Sequence, residues 1–200
     1  MLKNYIIGVG DFVFNDKIRS IYIHIPFCNK ICSYCDFCKM YYSKKWVINY
    51  LNELENEISQ CYKNEKINTI YIGGGTPSSL SLMALTKLFN ILKNINLCDN
   101  YEFTFECNYE DITEELLVLL NKNRVNRISI GLQTFNKKFE DILNRKINKD
   151  KMIEKINLSK KYFDNINVDL MYGFNNETLE ELENDLNEFL KLDITHISSY

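Results

Sequence analysis

The chain has 200 residues, of which 46% are hydrophobic and 26% are charged, and it contains only seven glycines and two prolines. This composition can build the core of one α/β-sized domain and argues against disorder. The formal net charge of −3 comes from intermingled Lys, Asp and Glu without a basic block, which argues against nucleic acid as a partner.

Signals for export and membrane insertion are missing from the sequence. No run reaches the roughly 18 apolar residues of a membrane span, and the start M-L-K-N-Y-I-I-G-V-G lacks the features of a signal peptide. Four of the seven cysteines fall between Cys28 and Cys38, too close together for a disulfide framework. We therefore expect a cytoplasmic protein with no integral membrane segment and with a metal site.

Six short β-rich runs follow one another along the chain, separated by longer segments with apolar residues at helical spacing. The runs cover residues 21–25, 69–72, 102–106, 127–130, 166–170 and 195–198. No N-G or D-G hairpin turn separates them, and parallel neighbours need long crossovers, so the strands are predicted to pair in parallel. The pattern predicts an α/β fold with an N-terminal segment, 1–20, and one core domain, 21–200.

The crossover helices are marked by apolar spacing and by capping residues. The first predicted helix carries Trp46, Tyr50, Leu51, Leu54 and Ile58, and the last carries Leu179, Leu182, Leu186, Phe189 and Leu190. The predicted N-caps are Ser78 or Ser81, Thr113 and Thr178. The sequence stops directly after the sixth strand, so a C-terminal region is expected to be missing.

The chemically distinctive residues come at or just after the ends of predicted strands. The cysteines follow strand one, G-G-G-T-P-S follows strand two, and Glu106 ends strand three. Gln133 follows strand four, and Asp169 ends strand five. Parallel β/α folds bind ligands at the carboxyl ends of their strands, so these residues are expected to share one site.

Cys28, Cys32 and Cys35 stand at C-x3-C-x2-C spacing, in a loop short enough to wrap one cubic cluster. A [4Fe-4S] cluster normally takes four cysteines, so three thiolates leave one iron open to a small molecule. Zinc and ordinary buried cysteines are the alternatives, although zinc knuckles use paired C-x2-C units separated by a longer gap. Cys38 also stands at C-x2-C from Cys35 and could be a fourth ligand, a spare thiol or a small residue.

These motifs resemble the radical S-adenosylmethionine (SAM) superfamily, and within it the branch of oxygen-independent coproporphyrinogen III oxidase and the heme chaperone HemW. The resemblance covers about residues 21–200 and rests on Y-I-H-I-P-F-C, C-S-Y-C-D-F, Y-I-G-G-G-T-P-S, F-T-F-E-C-N, N-R-I-S-I-G-L-Q-T-F and V-D-L-M-Y-G-F. It implies a partial parallel (β/α)6 barrel, similar to a TIM barrel, with a [4Fe-4S] cluster on Cys28, Cys32 and Cys35.

The resemblance also implies how SAM is bound. The open iron of the cluster chelates the amino and carboxylate groups of SAM, whose sulfonium is cleaved to a 5′-deoxyadenosyl radical. The positions that match SAM contacts are Tyr22, Gly74, Gly75, Thr76, Glu106, Gln133, Arg145 and Asp169. A plain strand-to-helix turn is the alternative for the glycines, a surface strand end for Glu106, and a solvated helix-end charge for Arg145. His24 and His196 are expected to be structural.

Two stretches depart from the branch, and two features choose between its members. Ile147 replaces the histidine of a G-R-x-H motif, and G-F-N-N-E-T replaces G-L-P-G-Q-T after strand five. The cluster begins early, at Cys28, and the third cysteine is followed by D-F-C where the oxidase has a C-x-C pair. These two features favour a HemW-like heme chaperone over the oxidase, which decarboxylates two propionates of coproporphyrinogen III.

The expected partners are heme or a porphyrin and an electron donor such as flavodoxin or ferredoxin. A binding-only module, in which the cluster and SAM serve structure or regulation, remains a third hypothesis. The sequence alone does not decide whether the chain is an enzyme.

Overall fold

The structure is a computed structural model that describes residues 19–200. Nearly all of the predicted N-terminal segment, 1–20, and the start sequence inspected for a signal peptide lie outside the described residues. Over residues 19–200, no helix is both long enough and apolar enough to cross a membrane.

Eight β-strands are present in the described part of the chain. In chain order they are β1 (Ser20–Ile25), β2 (Phe27–Cys28), β3 (Met40–Tyr41), β4 (Ile67–Gly74), β5 (Leu97–Asn108), β6 (Arg127–Gln133), β7 (Asn165–Leu170) and β8 (His196–Ser199). Six of them form one parallel sheet in the order β1-β4-β5-β6-β7-β8, while β2 and β3 pair in parallel on their own. The predicted parallel α/β fold is confirmed, as an open sheet that matches a partial barrel.

Helices provide the crossovers between successive strands of the six-stranded sheet. They are α1 (Lys44–Cys61), α2 (Leu82–Leu92), α3 (Glu114–Lys122), α4 (Glu140–Leu143), α5 (Lys149–Ser159) and α6 (Leu179–Leu190). The Ser81, Thr113 and Thr178 hydroxyls cap α2, α3 and α6, and Thr178 forms a capping box with Glu181. Of the two serines considered for α2, Ser81 is therefore the cap, and Ser78 instead donates to Asp111 at 2.8 Å.

The two faces of the sheet differ in polarity because strand side chains alternate between them. In β1, Ile21, Ile23 and Ile25 are buried, whereas Tyr22 and His24 are partly exposed on the opposite face. The apolar face joins the helices in one core. The other face carries the polar residues Tyr22, His24, Tyr71, Thr104, Glu106, Arg127, Ser129, Asn167, Asp169 and Ser198. A closed TIM barrel fills its interior with apolar side chains, so this polar lining is suited to binding a ligand.

Some of the apolar residues from which the helices were predicted do not enter the core. Trp46 of α1 is 56% exposed, and Leu179 and Leu190 of α6 are 72% and 68% exposed. On α6 the buried side chains are Asp185 and Phe189. Apolar spacing therefore identified the packing face of α1, apart from Trp46, but not that of α6.

Candidate functional site

The glycine run at the end of β4 is hydrogen-bonded to the segment that begins the cysteine loop. The Gly75 N–H donates to the Ile25 carbonyl, and the Thr76 N–H donates to the Phe27 carbonyl, both at 2.8 Å. The Thr76 hydroxyl donates to Cys28 Sγ at 3.3 Å. A Cβ atom on Gly75 would lie 3.0 Å from this sulfur and 2.8 Å from the Pro26 carbonyl carbon. Only glycine allows the two segments to approach so closely.

Glu106 lies against the same glycine run. Its Oε1 accepts from the Tyr71 hydroxyl at 2.6 Å, and its Oε2 accepts from the Gly74 N–H at 3.0 Å. Gly74 has φ +114°, a backbone conformation that favours glycine. Burial raises the pKa of Glu106, while the two hydrogen bonds partly oppose the rise. The structure thus places Glu106 in a largely enclosed site and not at a surface strand end.

Three other residues predicted to contact SAM converge on Gly131 of β6. A Cβ atom built on Gly131 would lie 2.9 Å from Gln133 Nε2, 3.9 Å from Arg145 Nη1 and 4.0 Å from Asp169 Oδ2. Gly131 was not singled out in the sequence, because a lone glycine within a strand carries no distinctive pattern. Its missing side chain leaves space among three polar groups.

Arg145 is buried in this site, where only 8% of it is exposed. Its Nη2 donates to the side-chain oxygen of Asn108 and to the Gly131 carbonyl, and its guanidinium lies 4.9 Å from the centre of the Tyr109 ring. Its Nε–H is buried and has no hydrogen-bond partner among the described residues. The alternative of a solvated helix-end charge therefore does not fit the structure.

Gln133 and Asp169 occupy neighbouring strands. Gln133 has φ +74° and ends β6 at a shift in its register with β7. A non-glycine residue in the left-handed region is uncommon and is often found at functional sites. Asp169 Oδ1 accepts from the Asn167 amide at 3.0 Å, and burial raises the pKa of Asp169.

The cysteine loop lies at the carboxyl end of β1. Cys28 is buried, Cys32 and Cys35 are partly exposed, and Cys38 is exposed. Burial raises the pKa of the Cys28 thiol, with smaller contributions from the charges of Cys35 and Cys32, and the nearby Lys39 opposes the rise. Among residues 19–200, no three Cys, His, Asp or Glu side chains are grouped so that they could hold a single metal ion.

Tyr22 and His24 connect β1 to this loop. His24 Nε2 lies 2.7 Å from the Cys38 carbonyl oxygen, and its Nδ1 lies 3.1 Å from the Tyr22 hydroxyl. Burial and the charge of Glu106 raise the pKa of Tyr22 to about 12. His24 is therefore satisfied, as expected, but it is partly exposed at the site and lies outside the apolar core. His196 is exposed and contacts Arg127 at 3.2 Å.

Tyr34 was not predicted as a site residue, although an aromatic residue before the last cysteine was part of the signature. Burial raises the pKa of Tyr34, the charge of Cys32 raises it further, and Arg145 lowers it. Tyr34, a residue of the cysteine loop, thus lies near Arg145 of the group around Gly131. Tyr71 and Asn108 were also missed, since single polar residues in strands carry no sequence signal.

The radical SAM superfamily model matches residues 22–189, which is most of the chain. The chain belongs to the radical SAM superfamily. This membership implies a [4Fe-4S] cluster and SAM as cofactors. The residues present fit these cofactors: three thiols lie in one loop, Gly75 leaves space beside Cys28, and the Arg145 Nε–H is an unpaired buried donor.

Curated relatives include heme chaperones. The chain is 40% identical over 192 residues to the heme chaperone HemW of Bacillus subtilis, covering 92% of this chain and 50% of the relative. It is 39% identical over 186 residues to HemW of Lactococcus lactis, covering 92% of this chain and 49% of the relative. It is 28% identical over 191 residues to the oxygen-independent coproporphyrinogen III oxidase of Salmonella typhimurium, covering 92% of this chain and 42% of the oxidase.

Among solved structures, the coproporphyrinogen III oxidase HemN of Escherichia coli superposes with a TM-score of 0.80 at 27% identity, covering 88% of this chain and 42% of HemN. The chain therefore spans about half the length of the curated HemW relatives and somewhat less of the oxidases.

Proposed function

We propose that this chain is the cluster- and SAM-binding part of a HemW-like heme chaperone, with residues 21–200 as its radical SAM core domain. The observation that carries the proposal is the hydrogen-bonded connection of Cys28, the glycine run and Glu106 at one edge of the sheet. These three motifs lie at or near the carboxyl ends of β1, β4 and β5, so they belong to one site.

Cys28, Cys32 and Cys35 would hold the [4Fe-4S] cluster as thiolates. When bound, the cluster supplies one electron to the sulfonium of SAM. The Thr76 hydroxyl favours the thiolate of Cys28 by donating to its sulfur, which offsets part of the cost of burial. Cys38 is assigned as a spare thiol, since its side chain is exposed and its carbonyl accepts from His24.

SAM would be bound by groups of complementary charge. The buried Nε–H of Arg145 has no partner and suits the SAM carboxylate, because guanidinium–carboxylate hydrogen bonds are charge-assisted. Glu106 and Asp169 can accept hydrogen bonds from the SAM ammonium or the ribose hydroxyls. Gln133 can donate and accept, while Tyr22, Gly74, Gly75 and Thr76 border the cysteine side of the space.

The heme-chaperone assignment is supported by the greater identity to HemW proteins, 34–40%, than to the oxidase, 28%. The early position of Cys28 and the D-F-C that follows Cys35 favour the same branch. On this assignment heme is the bound porphyrin, and an electron donor reduces the cluster. The clustered thiols suit the reducing environment of the cytoplasm.

The assignment can be tested with a chimera, because the chain matches half of Bacillus subtilis HemW. This chain replaces the matching half of HemW, and the product is reconstituted anaerobically. We expect about four irons per chain, as one cubic cluster requires. Iron should be lost in Cys28→Ala and retained in the matched Cys38→Ala variant.

The same chimera should bind heme in a spectroscopic titration and should release no carbon dioxide from coproporphyrinogen III in the presence of SAM and a reductant. Decarboxylation in proportion to SAM cleavage would instead assign the chain to the oxidase. Colourless protein with one zinc would contradict both assignments.

A further inference from the structure

Exposed basic and aromatic residues lie within the cysteine loop and directly after it, and we name this set the loop surface. It consists of the exposed residues Lys30, Phe37, Tyr41, Lys44, Lys45 and Trp46. The three aromatic side chains are 56–67% exposed, which is high for residues of their size. We propose that the loop surface docks an acidic one-electron carrier protein, which reduces the cluster. This inference rests on the proposed function, because it requires a cluster in the loop.

The loop surface is close to the first cluster ligand. Tyr41 is paired with Cys28 between β2 and β3, and the Tyr42 N–H donates to the Cys28 carbonyl at 2.9 Å. Lys44 follows Tyr42 by two residues, so its Cα lies within about 8 Å of the Tyr42 Cα. Lys30 follows Cys28 by two residues and is held within the same distance. Lys30 and Lys44 therefore both belong to segments that lie next to this cysteine.

The charge of this segment is opposite to that of the chain. Residues 28–46 contain four lysines and a single acidic residue, Asp36, whereas the whole chain has a net charge of −3. Lys39 is used within the loop, where its ammonium donates to the Cys35 and Phe37 carbonyls. In the described part of the chain, Lys30, Lys44 and Lys45 form no salt bridge. Their charges are available to a partner.

The positions of Lys44 and Lys45 are unfavourable for folding. Both lie in the first turn of α1, which contains no acidic residue. The amino end of a helix carries a partial positive charge, so lysines there are repelled by the helix dipole. Neither helix stability nor an ion pair within residues 19–200 accounts for them. Attraction of an acidic protein accounts for these two lysines, since complementary charge speeds the encounter and orients the partners.

The location explains why the partner is an electron carrier. Electron transfer weakens steeply with distance, so the donor must approach the cluster directly. Cys32 and Cys35 are partly exposed and Cys38 is exposed, while Cys28 faces Thr76 and the glycine run on its other side. SAM and the carrier can therefore approach from different sides. The carrier loses one electron, the cluster passes from the 2+ to the 1+ state, and no bond is made or broken.

The test uses the reconstituted chain with reduced flavodoxin as the carrier and photoreduced deazaflavin as a small reductant. In the triple variant Lys30→Glu, Lys44→Glu, Lys45→Glu, iron content and reduction by deazaflavin should equal those of the wild type. The rate constant for cluster bleaching by flavodoxin at low salt should fall by about tenfold or more, because steering by charge contributes that much. The wild-type rate should fall as salt is raised, and the rate of the variant should not.

The matched control is Lys66→Glu, Lys122→Glu, Lys161→Glu. These lysines are also exposed, but they precede the amino ends of β4, β6 and β7, at the opposite edge of the sheet. This variant has the same net charge as the first and should be reduced by flavodoxin within about twofold of the wild-type rate. A milder pair, Lys44→Gln and Lys45→Gln, gives the same comparison if the charge reversal prevents folding.

Several outcomes would overturn the docking inference alone. One is a loop-surface variant that flavodoxin reduces at the wild-type rate, and another is equal loss of rate in the control variant. A third is loss of binding to acidic lipid vesicles with no change in the flavodoxin rate, which would assign the surface to a membrane. A chain that binds no iron would contradict the proposed function itself, and the docking inference with it.

Discussion

The Glu106 carboxylate is enclosed between two hydrogen-bond donors and a glycine. Because Cβ on Gly73 would lie only 2.7 Å from Glu106 Cδ, any larger residue at position 73 would displace the carboxylate. Burial raises the pKa of Glu106, which means that the folded protein holds a proton there more strongly than the unfolded chain does. The residue is thus held in place at some cost to stability at neutral pH.

We predict that Glu106→Gln weakens SAM binding by about tenfold or more, since a hydrogen bond to a charged acceptor contributes about 1.5–3 kcal/mol. Iron content should not change. The matched control is Glu102→Gln on the same strand, because Glu102 is exposed and accepts from Thr104. Isothermal titration of SAM into the cluster-loaded proteins measures both affinities, and equal affinities would remove Glu106 from the site.

The same variant also tests how the free energy of unfolding depends on pH, and the direction of this dependence follows from the raised pKa. A raised pKa in the folded state gives stability that is fully present below the ordinary value of 4.5 and is lost as pH rises through the folded-state pKa. Glutamine does not titrate, so the free energy of unfolding of the wild type should fall relative to Glu106→Gln over this window. Urea unfolding at successive pH values measures the free energy of unfolding of both proteins. If the carboxylate were solvated, the difference between the two proteins would not change with pH.

At the level of elements, α6 fixes the turn that follows β6. Asp185 of α6 is buried, and its carboxylate accepts from the Phe135 N–H at 3.0 Å and from the Thr134 hydroxyl. These donors come directly after Gln133, whose backbone has φ +74°. The helix therefore holds the uncommon backbone conformation that turns the Gln133 side chain toward Gly131.

Asp185→Ala should lower the free energy of unfolding by at least about 2 kcal/mol, because two buried donors lose their acceptor. It should also weaken SAM binding, since Gln133 is no longer fixed. Glu183→Ala is the control on the same helix, where the side chain is exposed, and it should change stability by less than about 0.5 kcal/mol. Equal unfolding free energies in urea for the two variants would contradict this role for Asp185.

Local patterns in the sequence predicted the elements, while the details of the site depend on contacts between distant residues. The six strands were located because their apolar residues are concentrated in short runs, although β5 begins at Leu97, five residues before its predicted start. Asp185 gave no signal, because a carboxylate in a helix of spaced leucines is normally on the solvent side. The burial of Arg145 arises from Asn108, Tyr109 and Gly131, which only the folded sheet brings together.

At the scale of the whole molecule, the two faces of the sheet have different roles. One face forms the core with the helices, and the other carries polar side chains around the space at Gly131 and the glycine run. A ligand that fills this space contacts residues from β1, β4, β5, β6 and β7 at once. Binding of SAM should therefore stabilise the whole fold, because a ligand that binds only the folded state shifts the unfolding equilibrium.

The last prediction uses this linkage. SAM at about 100 times its dissociation constant adds about 2.7 kcal/mol, which raises the Tm of a chain of this size by about 5–10 °C. Gly131→Ala should remove the shift, because the added Cβ would stand 2.9 Å from Gln133 Nε2 and within 4.0 Å of Asp169 Oδ2. The flexible Gln133 side chain can move away, and φ at Gly131 is not positive, so the Tm without SAM should hardly change.

Gly173→Ala is the reciprocal control for this experiment. Gly173 has φ +77°, and no atom lies within 4 Å of the position that an alanine methyl group would take, so alanine there strains the backbone without filling the site. We expect a lower Tm without SAM and a full SAM-induced increase. Scanning calorimetry of the cluster-loaded wild type and both variants separates the two effects. A normal SAM shift in Gly131→Ala would show that SAM binds away from the space in which Gln133, Arg145 and Asp169 converge.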